Sequence, residues 1–154
     1  RIVREALYSK PDGKAIRVPG GLNGAIRRHT RRTVTFVLSD FYDVNFKSTL
    51  SVANKRHDIV AITITDPPEI NLPGIGIVKF LDPETGNSFL IDTSDRKTLR
   101  EYKKNSSQRF EERQNLFRST SVDHIDIRTD IPYSKSLIRF FKMRERRMRY
   151  DEKK

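Results

Sequence analysis

The sequence contains no cysteine, which excludes disulfides, thiolate metal sites and thiol nucleophiles from this chain. It has no run approaching the roughly 18 apolar residues that a membrane-spanning helix needs. Its first residues include neither an initiating methionine nor the apolar segment of a signal peptide. We therefore expect a cytoplasmic location and an incomplete piece of a larger protein, with one or more N-terminal strands missing.

The signatures of common catalytic sites are also absent. His29, His57 and His124 are far apart and form no His-x-x-x-His pair, so a zinc site is not expected. The glycine-rich residues 19–24 lack the Gly-x-x-x-x-Gly-Lys pattern of a phosphate-binding loop. No Gly-x-Ser-x-Gly elbow occurs either. We therefore do not expect an enzyme.

The formal net charge of +11 is concentrated at the two ends of the 154 residues. Residues 1–32 hold nine basic and two acidic side chains, and residues 139–154 hold eight basic and three acidic. These ends leave nucleic-acid binding open as an alternative function. Residues 139–154 also have two readings: contact with an anionic membrane or acidic protein surface, or a helix that packs on the sheet and then frays into solvent.

Hydrophobic patterning predicts an α/β fold of three layers with a mainly parallel sheet. The predicted elements are, in order, a buried strand at 33–38, a helix at 46–55, a strand at 58–65, an antiparallel hairpin at 75–81 and 88–91, a helix at 96–119, an edge strand at 122–128, and a helix at 134–149 with Leu137, Ile138, Phe140 and Phe141 inward. The hairpin is an insertion in the parallel order. We expect one partial domain over 1–154, with an irregular segment at 1–21 and a basic tail at 145–154.

Three acids follow predicted strands: Asp40, Asp66 and Asp130. In open α/β sheets, ligands bind outside the carboxyl ends of the strands. Together with Ser39 and Asp43, these acids offer oxygen ligands to a hard divalent cation. A simpler interpretation is that Asp66 starts a turn, Asp130 caps a helix and Asp43 is solvated. Asp40 is the stronger candidate, because it directly follows a buried strand.

Several sequence blocks resemble the bacterial domain-of-unknown-function family 58, whose C-terminal half is similar to a von Willebrand factor A domain. The matching blocks are 31–41, 55–61, 66–69, 72–76, 82–86, 91–94, 114–126 and 137–147. The resemblance implies a Rossmann-like three-layer fold, a role in protein interaction, and a MoxR-type AAA+ ATPase as partner. It also implies a metal-ion-dependent adhesion site, of whose ligands only one has a counterpart here, Asp40.

The sequence departs from that family pattern in two places. No Asp-x-Ser-x-Ser run occurs, and the position of the loop threonine falls in Gly20-Gly21. One carboxylate alone does not hold Mg²⁺ well, so we expect no cofactor here, weak occupancy of Asp40 at most, and Mg²⁺ only in the full-length parent. A missing central strand also leaves unpaired ladder edges, which predicts self-association.

These observations favour a non-catalytic protein-interaction module. Its predicted contact surface is a strand-end crevice formed by Ser39, Asp40, Asp43 and Asp66. The alternatives are a nucleic-acid-binding protein that uses its basic termini and a divalent-metal-dependent hydrolase that uses Asp40, Asp43 and Asp66.

Overall fold

The computed structural model describes residues 20, 22, 24, 28, 30–41, 46–82 and 86–151. Most of the predicted irregular segment at 1–21, His29 and Asp43 lie outside them. The elements are β1 (Val34–Leu38), α1 (Phe46–Arg56), β2 (Asp58–Thr65), α2 (Pro67–Ile70), β3 (Ile77–Leu81), β4 (Ser88–Asp92), α3 (Arg96–Thr120), β5 (Asp123–Arg128) and α4 (Tyr133–Asp151).

The main sheet has the strand order β1-β2-β5, and both pairings are parallel. Leu38 at the end of β1 pairs with Ile62, whereas Thr65 at the end of β2 pairs with Arg128. Helices lie on both faces of this sheet, as parallel strands require. The predicted three-layer α/β fold with a mainly parallel sheet is confirmed.

The first core lies between the sheet and the helices α1 and α3. Phe46, Leu50 and Ala53 recur at helical spacing on one face of α1, and all three are buried. They pack with Phe117 of α3 and with Phe41, which follows β1. The Phe41 ring centroid lies 4.8 Å from that of Phe46 and 5.0 Å from that of Phe117. Burying each such ring contributes about 1.5–3 kcal/mol.

The second core lies under α4 on the opposite face of the sheet. Val60, Ile62, Ile125 and Phe140 are buried together there. Arg144 of α4 then forms ion pairs with Asp58 and, at 3.6 Å, with Asp123. Because these acids begin β2 and β5, the helix is fixed over those two strands.

Two expectations about burial are wrong. The strand β1 was expected to be buried, but Val34, Phe36 and Leu38 are 57%, 44% and 59% exposed. Ile138 and Phe141 were expected to face inward, but both are exposed. The reason is the same for both errors. The helix α4 packs over β2 and β5, and Phe141 meets Phe36 of β1 at the side of this helix. Within the described residues, β1 has no strand partner on its outer side.

The predicted hairpin is confirmed as a separate two-stranded antiparallel sheet, in which Phe80 stacks on Phe89 at 5.6 Å. The buried Thr93 holds the base of the hairpin in place. The Thr93 hydroxyl donates to the Gly76 carbonyl oxygen at 2.6 Å and accepts from the Ile75 amide at 2.9 Å.

The long helix is also confirmed. The Asp95 carboxylate accepts from the Lys97 and Thr98 amides at its first turn, and the polar residues 105–107 do not interrupt it. No helix among the described residues is both long and apolar enough to cross a membrane.

Asn54 joins three elements through its side-chain amide. Its Nδ2 donates to the carbonyl oxygens of Thr120 and Ser121, at 3.3 and 2.7 Å, and its Oδ1 accepts from the Ile59 amide at 3.3 Å.

We expect Asn54→Ala to lower the free energy of unfolding by about 1–3 kcal/mol, because these bonds are lost together. Urea denaturation measures this change. The control Asn105→Ala, at an exposed site on α3, should change it by less than about 0.5 kcal/mol. Equal changes in unfolding free energy for Asn54→Ala and Asn105→Ala would contradict the stabilising role of the Asn54 side chain.

The exposed β1 edge generates a second prediction. We expect the chain to self-associate as its concentration rises, because an unpaired strand with apolar side chains is a template for pairing. Val34→Lys should abolish this association, since a charge on an edge strand opposes pairing. Val52→Lys is the matched control, because Val52 is 55% exposed but belongs to the helix α1 and not to a strand. Sedimentation velocity is the measurement. A wild-type chain that stays monomeric at all concentrations rules the prediction out.

Candidate functional site

The parallel register places the carboxyl ends of three strands along one rim of the sheet. Ser39 and Asp40 follow β1, Asp66 follows β2, and Asp130 lies just after β5. The rim is stepped, because β2 and β5 continue past the end of β1. The last residue of β1, Leu38, pairs with Ile62, and β2 continues for three more residues to Thr65. At 3.3 Å per residue, the ends of β1 and β2 are therefore roughly 10 Å apart along the strand direction. The turn that carries Asp40 therefore begins about three residues short of the level at which β2 and β5 end.

Asp40 is exposed, and the turn that carries it is held in place. The Ser39 hydroxyl donates to Asp40 Oδ1 at 3.3 Å and accepts from the Phe41 amide at 3.1 Å. Phe41 has a positive φ of 59°, which is rare for a bulky residue. Its buried ring between Phe46 and Phe117 holds that conformation. The strained turn presents the Asp40 carboxylate at the end of β1.

Asp66 links the carboxyl ends of β2 and β5 through a hydrogen bond. Its carboxylate accepts from the Thr129 hydroxyl, and the Thr129 amide donates to the Thr65 carbonyl oxygen at 3.2 Å. The Asp66 amide donates to Glu69 Oε1 at 3.0 Å at the start of α2. This position agrees with the interpretation that Asp66 starts a turn, because its interactions are internal to the fold.

Asp130 forms a two-pronged ion pair with Arg128. It does not cap α4, contrary to the simpler interpretation. Arg128 Nε lies 3.0 Å from Oδ1, and Nη2 lies 2.6 Å from Oδ2. The hydrogen bonds from Arg128 are the main cause that lowers the pKa of the Asp130 carboxyl. The same bonds raise the pKa of Arg128.

Asp40, Asp66 and Asp130, the predicted acids that the structure describes, do not form a cluster. In the part of the chain that the structure describes, no three histidine or carboxylate side chains are grouped closely enough to hold a metal ion. Two histidines lie in packing positions: His57 is buried with Nδ1 3.0 Å from the Thr33 hydroxyl, and His124 stacks on Phe117. Of the glycine-rich residues 19–24, Gly20, Leu22 and Gly24 are helical and the others lie outside the described residues.

A polar network beneath the rim was not foreseen from the sequence. Asp126 of β5 accepts from the Thr63 hydroxyl and, at 3.3 Å, from Gln114 of α3. His124 Nε2 lies 3.8 Å from the same carboxylate. Nearby, Arg113 of α3 is buried among the residues that pack against β2 and α2. The signal in the sequence was the presence of polar residues at 63, 124 and 126 within predicted strands and at 114 within the predicted long helix.

The basic C-terminal end is mainly helical, and α4 extends through Asp151. Arg144 and Arg147 of this segment form ion pairs with Asp123, and Arg144 also pairs with Asp58. These two cations attach the helix to the amino ends of the strands, opposite the candidate rim.

Comparison with known proteins gives a family and relatives. A family model described as protein of unknown function DUF58 matches residues 1–112. The uncharacterized protein MAV169 of Mycobacterium avium is 31% identical over 141 residues, which cover 84% of this chain and 82% of that protein. The uncharacterized protein Rv1480 of Mycobacterium tuberculosis is 27% identical over 139 residues, covering 83% of this chain and 43% of that longer relative. No solved structure matches the chain.

The Arg128–Asp130 pair predicts a direct titration result. In the wild-type chain the Asp130 carboxyl should titrate below its ordinary pKa of 3.8, and in Arg128→Gln it should return toward that value. Because the folded pKa is depressed, the pair stabilises the fold above the unfolded-state pKa, and this contribution is lost as pH falls through the folded pKa. Carboxyl-detected NMR titration is the measurement. An unchanged Asp130 pKa in Arg128→Gln would refute the role of the arginine.

Proposed function

The chain belongs to the DUF58 family of proteins of unknown function, and on this premise we propose that it is a non-catalytic protein-interaction module. The observation that carries the proposal is the parallel register of β1 and β2. It places the exposed Asp40 at the carboxyl end of a strand, on the rim where α/β sheets contact their ligands. A rigid turn and an exposed carboxylate suit recognition of a cationic group on a partner.

The finer proposal is a von Willebrand A-like fold acting with a MoxR-type AAA+ ATPase. The fold proposal is supported by the parallel β1-β2-β5 sheet with helices on both faces. The partner comes from the family resemblance alone. The chain spans 43% of the length of the Mycobacterium tuberculosis relative, so we propose the interaction for the whole protein, in the cytoplasm, with this chain supplying one contact surface.

Magnesium does not fit the rim as the described residues form it. Ser39 and Asp40 supply one hydroxyl and one exposed carboxylate, whereas octahedral Mg²⁺ needs six oxygen ligands, only some of which water can provide. Asp66 is held by Thr129 on the upper step of the rim. Among the described residues, Asp40 and Asp66 therefore do not support a metal-dependent hydrolase, and Asp43 lies outside those residues.

Nucleic-acid binding has less support than protein binding. Two of the cations in the basic C-terminal end, Arg144 and Arg147, make ion pairs within the fold. Arg139, Lys142 and Arg146 remain exposed on α4. A salt-dependent titration against single-stranded DNA separates the two proposals, because phosphate contacts weaken steeply with salt.

The test of the proposed function is partner capture by the full-length parent protein. We expect Asp40→Asn to fold normally and to reduce capture of a MoxR-type ATPase at least about tenfold, since removing one charge from a recognition contact costs about 1.4 kcal/mol or more. Glu145→Gln is the matched control, because Glu145 is an exposed acid on α4 between Arg144 and Arg147, which bind at the amino ends of the strands, opposite the rim. Surface plasmon resonance measures both variants. Capture that is equal for Asp40→Asn and wild type would reject the rim as the contact surface.

A further inference from the structure

The helix α3 buries Arg113, which forms no ion pair with the residues that the structure describes. Arg113 is only 9% exposed, and its Nε atom is buried without a hydrogen-bond acceptor. A largely buried cation that lacks an ion-pair partner is unfavourable. The guanidinium is therefore suited to an anion that comes from outside the chain.

Arg113 lines a cavity of about 400 Å³ between α2 and α3, at the carboxyl end of β2. Two hydrogen bonds hold α2 against α3 and so fix the width of this cavity. The Tyr102 hydroxyl donates to the Pro68 carbonyl oxygen at 3.1 Å, and the Ser106 hydroxyl donates to the Glu69 carbonyl oxygen at 2.6 Å. The volume lies at the lower end of the range for small-molecule sites.

The lining combines apolar surface with a few polar groups. Ile70 and Phe110 supply the apolar part, and hydroxyls line it at Thr65 and Ser107. The guanidinium carbon of Arg113 lies 5.8 Å from the centroid of the Phe110 ring. This cation–π contact holds the charge beside an aromatic wall. A few oriented polar groups in a mainly apolar concavity are typical of a ligand pocket.

We propose that this cavity binds a small monocarboxylate with an apolar body. A planar guanidinium matches a carboxylate through two parallel hydrogen bonds, and Ile70 and Phe110 would contact the apolar body. The lining also holds Arg109, Glu69 and Glu111, so its arginines and glutamates balance. The several charges of a polyphosphate would exceed the two arginines and be repelled by the two glutamates, whereas the one charge of a monocarboxylate can be paired by Arg113. This proposal does not rest on the proposed function, because the rim at Asp40 takes no part in it.

Titration of the whole chain with matched probes tests the pocket. The probes are hexanoate and phenylacetate, their uncharged counterparts hexanamide and phenylacetamide, and inorganic phosphate. We expect the two carboxylates to shift the backbone amide signals of Thr65, Ser107 and Phe110 in NMR spectra. The uncharged amides should bind at least about tenfold more weakly, because they cannot pair with the guanidinium. Phosphate should bind more weakly than either carboxylate.

Variants distinguish a ligand-binding arginine from a structural one. Arg113→Met should weaken carboxylate binding at least about tenfold and leave the melting temperature unchanged or higher, because an uncompensated buried charge is removed. Arg113→Lys, which keeps the charge but loses the planar fork, should give intermediate binding. Arg118→Met is the control, since Arg118 is exposed on the same helix and lies outside the cavity.

Several results would overturn the proposal. Carboxylates that leave the signals of Thr65, Ser107 and Phe110 unmoved in the wild-type chain show that the cavity is not their site. Amides that bind as well as carboxylates remove the role of the charge. Tighter binding of phosphate assigns the wrong ligand class. Equal carboxylate binding by wild type and Arg113→Lys removes the role of the planar guanidinium, and this comparison remains available if Arg113→Met fails to fold.

Discussion

The parallel pairing of β2 with strands on both sides is the constraint on which the rest of the structure depends. Five consecutive residues of β2, Ile59 to Thr63, are each at most 8% exposed. A strand buried on both faces needs a helical layer above and below it, and this need accounts for the positions of α1, α3 and α4. Because parallel strands require crossover connections, their carboxyl ends come to lie at one rim.

The elements could be predicted from the sequence because their signals are local. The β-branched run of β2, the turn residues of the hairpin and the cap at Asp95 each specify structure within a few residues. The exposure of β1 and of Phe141 could not be predicted in this way. An apolar pattern shows which face of an element favours burial, but it does not show whether another element covers that face.

The candidate site was predictable in part for the same reason. Asp40 lies at a strand end, as the alternation of strand and helix indicated. The bond from Thr129 to Asp66 and the burial of Arg113 with an unpaired Nε depend on residues distant in sequence, so no local pattern reveals them. The carboxylates divide by position. Those at the amino ends of β2 and β5 attach α4 through Arg144, while Asp40 at the opposite rim remains exposed.

In the described part of the chain, the hairpin β3–β4 makes no ladder hydrogen bonds with the main sheet. Thr93 holds the base of the hairpin through the Gly76 carbonyl oxygen and the Ile75 amide. The hairpin strands therefore form a unit whose opening does not require β2 to separate from its neighbours. Changes of length or sequence at the tip of the hairpin therefore do not alter the strand pairing of the main sheet. Homologous chains can vary this arm in evolution while they keep the same scaffold.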